Sequence, residues 1–160
     1  MTISDVRWQR KHFETLRQNY GRAPHYRDLE AFLEHVYLGR SWQTLSSLNQ
    51  FLVKSICRDF LGIETRFDDS GNYSLSGSGQ TRLLELLAVA GATTYVSGPS
   101  GRSYIDVGEF EKRGIHVIFK DYSGYAEYSQ FHPPFEHRVS ILDLLFHTGP
   151  DAGKFIWGER

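Results

Sequence analysis

The chain has 160 residues, of which 40% are hydrophobic and 14% aromatic, so its length fits one domain and its composition excludes a disordered chain. The formal net charge is −1, which excludes a bulk electrostatic attraction to nucleic acid or to anionic lipid. The single cysteine, Cys57, cannot form an internal disulfide, and no run of apolar residues is long enough to span a membrane. Because residues 1–12 also lack the apolar segment of a signal peptide, we expect a cytoplasmic protein.

Helical periodicity dominates the first part of the chain. Apolar residues recur at intervals of three and four, with glycines after each run, and predict helices over Asp5–Tyr20, Tyr26–Leu38 and Thr44–Leu61. Ser4 or Asp5 is the expected N-cap of the first helix.

The pattern changes to alternating strands and helices from Ile63 onward. Short β-favouring runs predict strands at Ile63–Phe67, Thr93–Val96 and Ile115–Phe119, the last of them buried on both faces. Helices are predicted at Thr81–Ala90, near Val107–Arg113 and at Val139–Gly149. The expected fold is therefore α/β: N-terminal helices, a βαβαβ unit with a small, mainly parallel sheet, and a C-terminal helix, in a single domain over residues 1–160.

Loops rich in Gly, Ser, Tyr, Asp and His follow the predicted strands. They are Asp68–Gln80, Ser97–Asp106 and Asp121–Arg138. Parallel strands end at the same edge of a sheet, so these loops are expected to converge on one binding site, although a plain surface turn also explains a loop of this composition. The candidate substrate-binding residues are Ser97, Gly98, Ser100, Gly101, Tyr104, Tyr122 and Tyr125.

Two carboxylates are candidate catalytic residues. Asp106 ends the second loop, where it serves either as a general base or as the N-cap of the following helix. Asp143 lies three residues after Ser140, at the start of a very apolar helix, in the spacing of a capping box.

Phosphate and metal sites are less well supported by the sequence. The segment Ser76–Thr81 places glycines before a helix, which suits phosphate binding, but it lacks a Walker lysine and equally fits a linker loop. The seven histidines show no metal-ligand spacing, so no metal site is predicted. No cofactor is identified.

Several segments, in order along nearly the whole chain, resemble the WbqC-like protein family. The most specific are YVSGPSGRSYID (residues 95–106) and SILDLLFHTG (residues 140–149). The resemblance implies a cytoplasmic step of bacterial surface-polysaccharide, O-antigen-type biosynthesis. Members of the family usually begin with a segment carrying a Gln-Pro…Pro-Trp-x-Gly-Tyr-type motif, which this sequence does not contain. We therefore expect the chain to correspond to the C-terminal part of the family domain.

Two functions follow from these observations. The first is an enzyme that transfers a group to a nucleotide-linked or lipid-linked sugar, with a small-molecule substrate such as a sugar nucleotide. The second is a binding or partner module without chemistry. Because a missing segment would leave part of the sheet uncovered, we also expect a homo-oligomer or a partner chain that supplies the N-terminal part.

Overall fold

The computed structural model describes residues 2, 3 and 7–158. The expected N-cap of the first helix, Ser4 or Asp5, lies outside the described residues. The chain divides into two compact units, one formed by residues 1–65 and 125–160 and the other by Arg66–Gly124. The single domain expected over residues 1–160 stays a prediction.

The described residues form seven α-helices and two short strands. In chain order these are α1 (Trp8–Tyr20), α2 (Tyr26–Tyr37), α3 (Leu45–Ser55), α4 (Gly79–Val89), β1 (Thr94–Ser97), α5 (Val107–Glu111), β2 (His116–Phe119), α6 (Ile141–Thr148) and α7 (Ala152–Trp157). The mixed α/β class predicted from the sequence is confirmed. The last helix, α7, was not predicted.

The first unit is a helical bundle around one hydrophobic core. Leu29, Leu33 and Val36 of α2 recur at intervals of four and three, so they share the buried face of the helix. Leu145 and Phe146 of α6 are equally buried and belong to the same core. This packing fixes the position of α6, which carries the candidate site described below.

The third helix does not keep α-helical geometry to its predicted end at Leu61. Thr44 caps its start, since the Thr44 side chain accepts a hydrogen bond from the Ser47 amide at 3.1 Å. The last turn, Ile56–Phe60, is a π-helix, and the Leu61 amide bonds to the Ile56 carbonyl at 3.1 Å. Cys57 lies in this turn and is half-buried.

The second unit is built on a parallel pair of strands. β1 and β2 align from Thr94 opposite His116 to Ser97 opposite Phe119, with α5 in the connection between them. Phe110 of α5 is fully buried and its ring stacks on Tyr95 at 5.5 Å. One face of the sheet is therefore covered by the unit's own core.

Two details of the predicted sheet are wrong. The segment Ile63–Phe67 is not a strand, because its polar centre, Glu64–Arg66, is exposed and pairs with neither strand of the described sheet. The strand at 115–119 is not buried on both faces: Ile118 and its register partner Val96 are 42% and 54% exposed. The sheet thus has two strands and one open face in the described part of the chain.

Candidate functional site

A buried carboxylate on α6 collects three side-chain hydrogen bonds. Asp143 is 6% exposed. Its Oδ1 accepts from the Tyr128 hydroxyl at 2.6 Å and from the Gln130 amide at 3.0 Å, and its Oδ2 accepts from the Tyr20 hydroxyl at 3.0 Å. Three donors stabilise the negative charge of a carboxylate that has little contact with water.

Local structure explains why Asp143 occupies this position. Ser140 caps α6 by accepting the Leu142 amide at 3.2 Å. The expected capping box is only half present, because the Asp143 carboxylate faces the tyrosines and Gln130 instead. At the other end, Gly149 has φ +54°, and a Cβ there would collide with the ring of His25. The helix is thus fixed at both ends.

The donors to Asp143 are themselves held in place. The Tyr128 ring packs edge-on against Phe135 and Phe155, with centroids 4.9 and 5.6 Å away. The Gln130 side chain accepts the Glu136 amide at 2.9 Å through Oε1, which leaves its NH₂ group to donate to Asp143. The amide orientation of Gln130 therefore follows from the hydrogen-bond network.

Both tyrosines that donate to Asp143 hold their protons more tightly than a free phenol. Burial and, after it, the hydrogen bond to Asp143 raise the pKa of Tyr20 to about 12. The same causes raise the pKa of Tyr128 well above its usual range. Both hydroxyls are therefore neutral donors at physiological pH.

His147 lies one helical turn after Asp143, and its side chain is almost fully buried, with 4% exposed. Its Nδ1 is 2.8 Å from the Asp143 carbonyl oxygen and 3.7 Å from Oδ1 of the same residue. A carbonyl oxygen can only accept, so Nδ1 carries a proton in this bond. Nε2, on the other edge of the ring, has no hydrogen-bond partner among the described residues. When Nε2 carries no proton, it is the ring atom that can act as a base.

His147 and Asp143 line a cavity of about 260 Å³ in the first unit. The lining combines polar side chains with apolar ones: Asn19, Tyr20, Gln130, Phe131, His132, Glu136, Val139, Asp143 and His147. Lysine and arginine are absent from this lining, whereas two carboxylates belong to it. A buried base beside a small polar cavity is an arrangement suited to proton transfer.

The residues predicted to be catalytic or to bind substrate are divided between the two units. Asp143 and Tyr125 belong to the first unit, and the others to the second, namely Ser97, Gly98, Ser100, Gly101, Tyr104, Asp106 and Tyr122. Within the second unit, the loops after β1 and β2 approach each other, because a Cβ built on Gly98 would lie 3.5 Å from the Tyr122 hydroxyl. Tyr104 and Tyr122 are 71% and 56% exposed.

Gly101 has a packing role in the loop after β1. A Cβ at this position would collide with Ser97 Oγ and would lie 2.9 Å from Ile105 Cδ1 and 3.1 Å from Phe119 Cε1. Ser97 is 7% exposed and Gly101 is also buried. The glycine is therefore required by close contact between the loop and the strand ends.

Asp106 has the helix-capping contact that was one of its two expected roles. Its Oδ1 accepts the Gly108 amide at 3.0 Å, at the start of α5, and its own amide donates to Gln80 Oε1 at 2.8 Å. Asp106 is exposed. Its use as a general base stays a prediction.

The glycine-rich segment before α4 does hold an anionic group, but that group belongs to the protein. The Glu85 carboxylate accepts the backbone amides of Ser76 and Gly77 at 2.9 and 3.1 Å. The Gly77 hydrogen bond is the main cause that lowers the pKa of Glu85. Glu85 therefore occupies the backbone amides that the sequence pattern suggested for an external phosphate.

Metal binding has no candidate site in residues 2–3 and 7–158, because no group of three or more His, Cys, Asp or Glu side chains there is arranged to hold an ion. Over the same residues, no helix has the length and apolar character needed to cross a membrane.

Sequence reasoning selected Asp143 but missed the residues around it. The signal for His147 was available, since positions four apart share a helix face and Asp143 and His147 have that spacing. Tyr20 had no such signal, because it lies 123 residues before Asp143. Tyr128 and Gln130 lie in an irregular segment whose folding the sequence pattern does not specify.

Comparison with known proteins identifies the family. The model of the WbqC-like protein family matches residues 1–155. The chain belongs to the WbqC-like protein family. This WbqC-like protein is 41% identical over 154 residues to the uncharacterized protein Rv1507c of Mycobacterium tuberculosis (strain ATCC 25618 / H37Rv). The match covers 96% of the WbqC-like chain and 66% of Rv1507c, so the chain spans slightly less than two thirds of that relative. No solved structure matches.

Proposed function

We propose that the chain is a cytoplasmic enzyme of bacterial surface-polysaccharide, O-antigen-type biosynthesis that transfers a group to a nucleotide-linked or lipid-linked sugar. The biological setting rests on membership of the WbqC-like family. The chemistry rests on one observation: His147, a residue that lines the cavity, has a buried Nε2 without a hydrogen-bond partner among the described residues, and its Nδ1 is fixed by the Asp143 carbonyl.

In the proposed reaction His147 is the general base. A hydroxyl or amine of the acceptor sugar gives its proton to Nε2 while its oxygen or nitrogen attacks the electrophilic atom of an activated donor. The new bond forms to the acceptor, and the leaving group departs with the electrons of the broken bond. The imidazole becomes positively charged, and the Asp143 carboxylate, 3.7 Å from Nδ1, stabilises that charge.

The second unit supplies a separate set of candidate binding residues. Ser97, Gly98, Ser100 and Gly101 remain our candidates for contact with a phosphate or carboxylate of a substrate, and Tyr104 and Tyr122 for contact with a sugar or base. Support comes from the approach of Gly98 to Tyr122 and from the large exposed area of both tyrosines. Tyr125 and Asp106 keep their predicted roles as proposals.

A binding or partner module without chemistry is the alternative. It is favoured by one observation, that the match covers only 66% of the length of Rv1507c. In that case the buried network around Asp143 would be structural.

The test compares His147→Asn with wild type. Asparagine can keep a donor to the Asp143 carbonyl but has no titratable base. The chain is incubated with a panel of sugar nucleotides and activated acyl and glycosyl donors, and products are measured by mass spectrometry. We expect turnover to fall by about 10²- to 10⁴-fold, the usual contribution of a general base, with an unchanged melting temperature.

His116→Asn is the matched control, because His116 is exposed at the start of β2 in the second unit. The proposal is wrong if His147→Asn and His116→Asn turn over at the same rate as wild type. Absence of turnover in wild type with every donor of the panel supports the alternative.

A further inference from the structure

Acidic side chains line the cavity in the first unit without lysine or arginine among its described residues. Its described lining includes the carboxylates of Asp143 and Glu136 and neither lysine nor arginine. Arg138 is near but weakly coupled, since its Nε is 3.9 Å from Glu136 Oε1 and its side chain is 95% exposed. A cavity of this kind attracts a cationic group and repels a phosphate.

Phe131 provides an apolar surface beside these carboxylates. Its ring centroid is 4.8 Å from that of His147, in edge-on geometry, and 42% of the residue is exposed. Aromatic rings pack well against the apolar C–H face of a pyranose, and the neighbouring amide of Asn19 is suited to bind hydroxyls.

The unpartnered atom of His147 independently points to a ligand. A buried polar atom without a hydrogen bond is unfavourable by about 1–3 kcal/mol, so buried polar groups nearly always have a partner. Nε2 of His147 lacks one, although the side chain is 96% buried (4% exposed) and lines the cavity. A hydrogen bond donated by a ligand to Nε2 removes this deficit.

We propose that this cavity binds the sugar ring of an amino sugar, with the ammonium group attracted by Glu136 and Asp143 and a ring substituent donating to His147 Nε2. The inference deepens the proposed function and rests on it for the role of the sugar as the acceptor. A phosphate or diphosphate attached to the sugar lies outside this cavity, because its described lining has two carboxylates and neither lysine nor arginine to neutralise one.

The test is a binding titration with three probes, followed by ligand-observed NMR. Methyl α-D-glucosaminide carries the amine, methyl α-D-glucoside replaces it with a hydroxyl, and glucose 1-phosphate carries a negative charge. At about pH 6 the amine is protonated. We expect the glucosaminide to bind at least about tenfold more tightly than the glucoside, which corresponds to about 1.4 kcal/mol, and glucose 1-phosphate to bind most weakly.

Glu136→Gln identifies the carboxylate responsible. It should reduce the preference for the glucosaminide, with Asp143 still attracting the amine, and should not change the affinity for the glucoside. Glu127→Gln is the matched control, because Glu127 is an exposed residue of the same segment and does not line the cavity. The melting temperature of both variants verifies that they are folded.

Equal binding of glucosaminide and glucoside by wild type overturns the inference, as does tightest binding of glucose 1-phosphate or an equal effect of the two glutamine variants. No donor is present, so the outcome does not depend on turnover. Selective binding of the glucosaminide together with full turnover of His147→Asn rejects the base and keeps the amino sugar. Equal binding of glucosaminide and glucoside together with loss of turnover in His147→Asn rejects the amino sugar and keeps the base.

Discussion

The hydroxyl of Tyr128 lies 2.6 Å from Oδ1 of Asp143, in a segment 15 residues before it in sequence. Hydrogen bonds to charged groups are short and stronger than those between neutral groups. This contact and the one from Tyr20 join α6 to two other segments of the first unit, so the buried carboxylate has a structural role as well as a chemical one.

Tyr128→Phe removes the hydroxyl and keeps the ring contacts with Phe135 and Phe155. We expect the free energy of unfolding to fall by about 1.5–3 kcal/mol, because a hydrogen bond to a buried charge is lost. Urea denaturation measures the change. Tyr104→Phe is the control, because Tyr104 is 71% exposed. Removal of its hydroxyl should change the free energy of unfolding by less than about 0.5 kcal/mol. Equal stability of Tyr128→Phe and wild type would contradict the structure.

Alkaline pH should destabilise the protein through Tyr20. The pKa of Tyr20 is about 12 in the folded chain, whereas an unperturbed tyrosine has a pKa of 10.0. Folding therefore favours the protonated phenol. The stabilisation is complete below pH 10.0 and is lost as the pH rises through about 12. Absorbance titration of tyrosinate should show late-ionising tyrosines, Tyr20 and Tyr128 among them, and one fewer in Tyr20→Phe. Loss of an early-ionising tyrosine in that variant would refute the assignment.

Two glycines three residues apart should respond differently to alanine. At Gly101 a Cβ collides with Ser97 and crowds Ile105 and Phe119, so Gly101→Ala should lower stability by about 1–3 kcal/mol. At Gly98 the Cβ meets only Tyr122, at an ordinary 3.5 Å, and Gly98→Ala should be nearly neutral. Thermal unfolding compares them. Adding Ser97→Gly to Gly101→Ala should restore part of the lost stability. An unchanged melting temperature of Gly101→Ala would show that the contact is not tight.

Asp106 can be tested for its two expected roles at once. Asn caps helices about as well as Asp, whereas Ala does not, so Asp106→Asn should keep the melting temperature and Asp106→Ala should lower stability by about 0.5–2 kcal/mol. Turnover is then measured for Asp106→Asn in the donor panel. Full activity of Asp106→Asn rejects the role of general base and leaves Asp106 as the helix cap that accepts the Gly108 amide. Loss of activity at unchanged stability supports a general base.

The sequence predicted six of the seven helices in the described residues, because their evidence is local. In α2, Leu29, Leu33 and Val36 recur at helical spacing, and the bounds found, Tyr26–Tyr37, differ from the prediction by one residue. The strand expected at Ile63–Phe67 failed because a short β-favouring run does not reveal whether a partner strand exists.

The candidate site was only partly predictable for the same reason. Asp143 was selected for its position at the start of a buried helix, which is a local property. Its donors Tyr20 and Tyr128 come from segments brought together by tertiary packing, 123 and 15 residues away in sequence. Single-sequence patterns contain no information on such pairings, whereas the four-residue spacing of Asp143 and His147 was readable.

The protonation of His147 is the most direct test of the proposed base. Uniformly ¹⁵N-labelled protein at neutral pH is examined by long-range ¹H–¹⁵N correlation of the imidazole rings, and the His147 signals are assigned by their absence in His147→Asn. The hydrogen bond to the Asp143 carbonyl predicts a proton on Nδ1, and the proposed base requires an Nε2 that carries none. A ring that carries its proton on Nε2 with a bare Nδ1 would contradict the hydrogen bond to Asp143 and leave the cavity without its base.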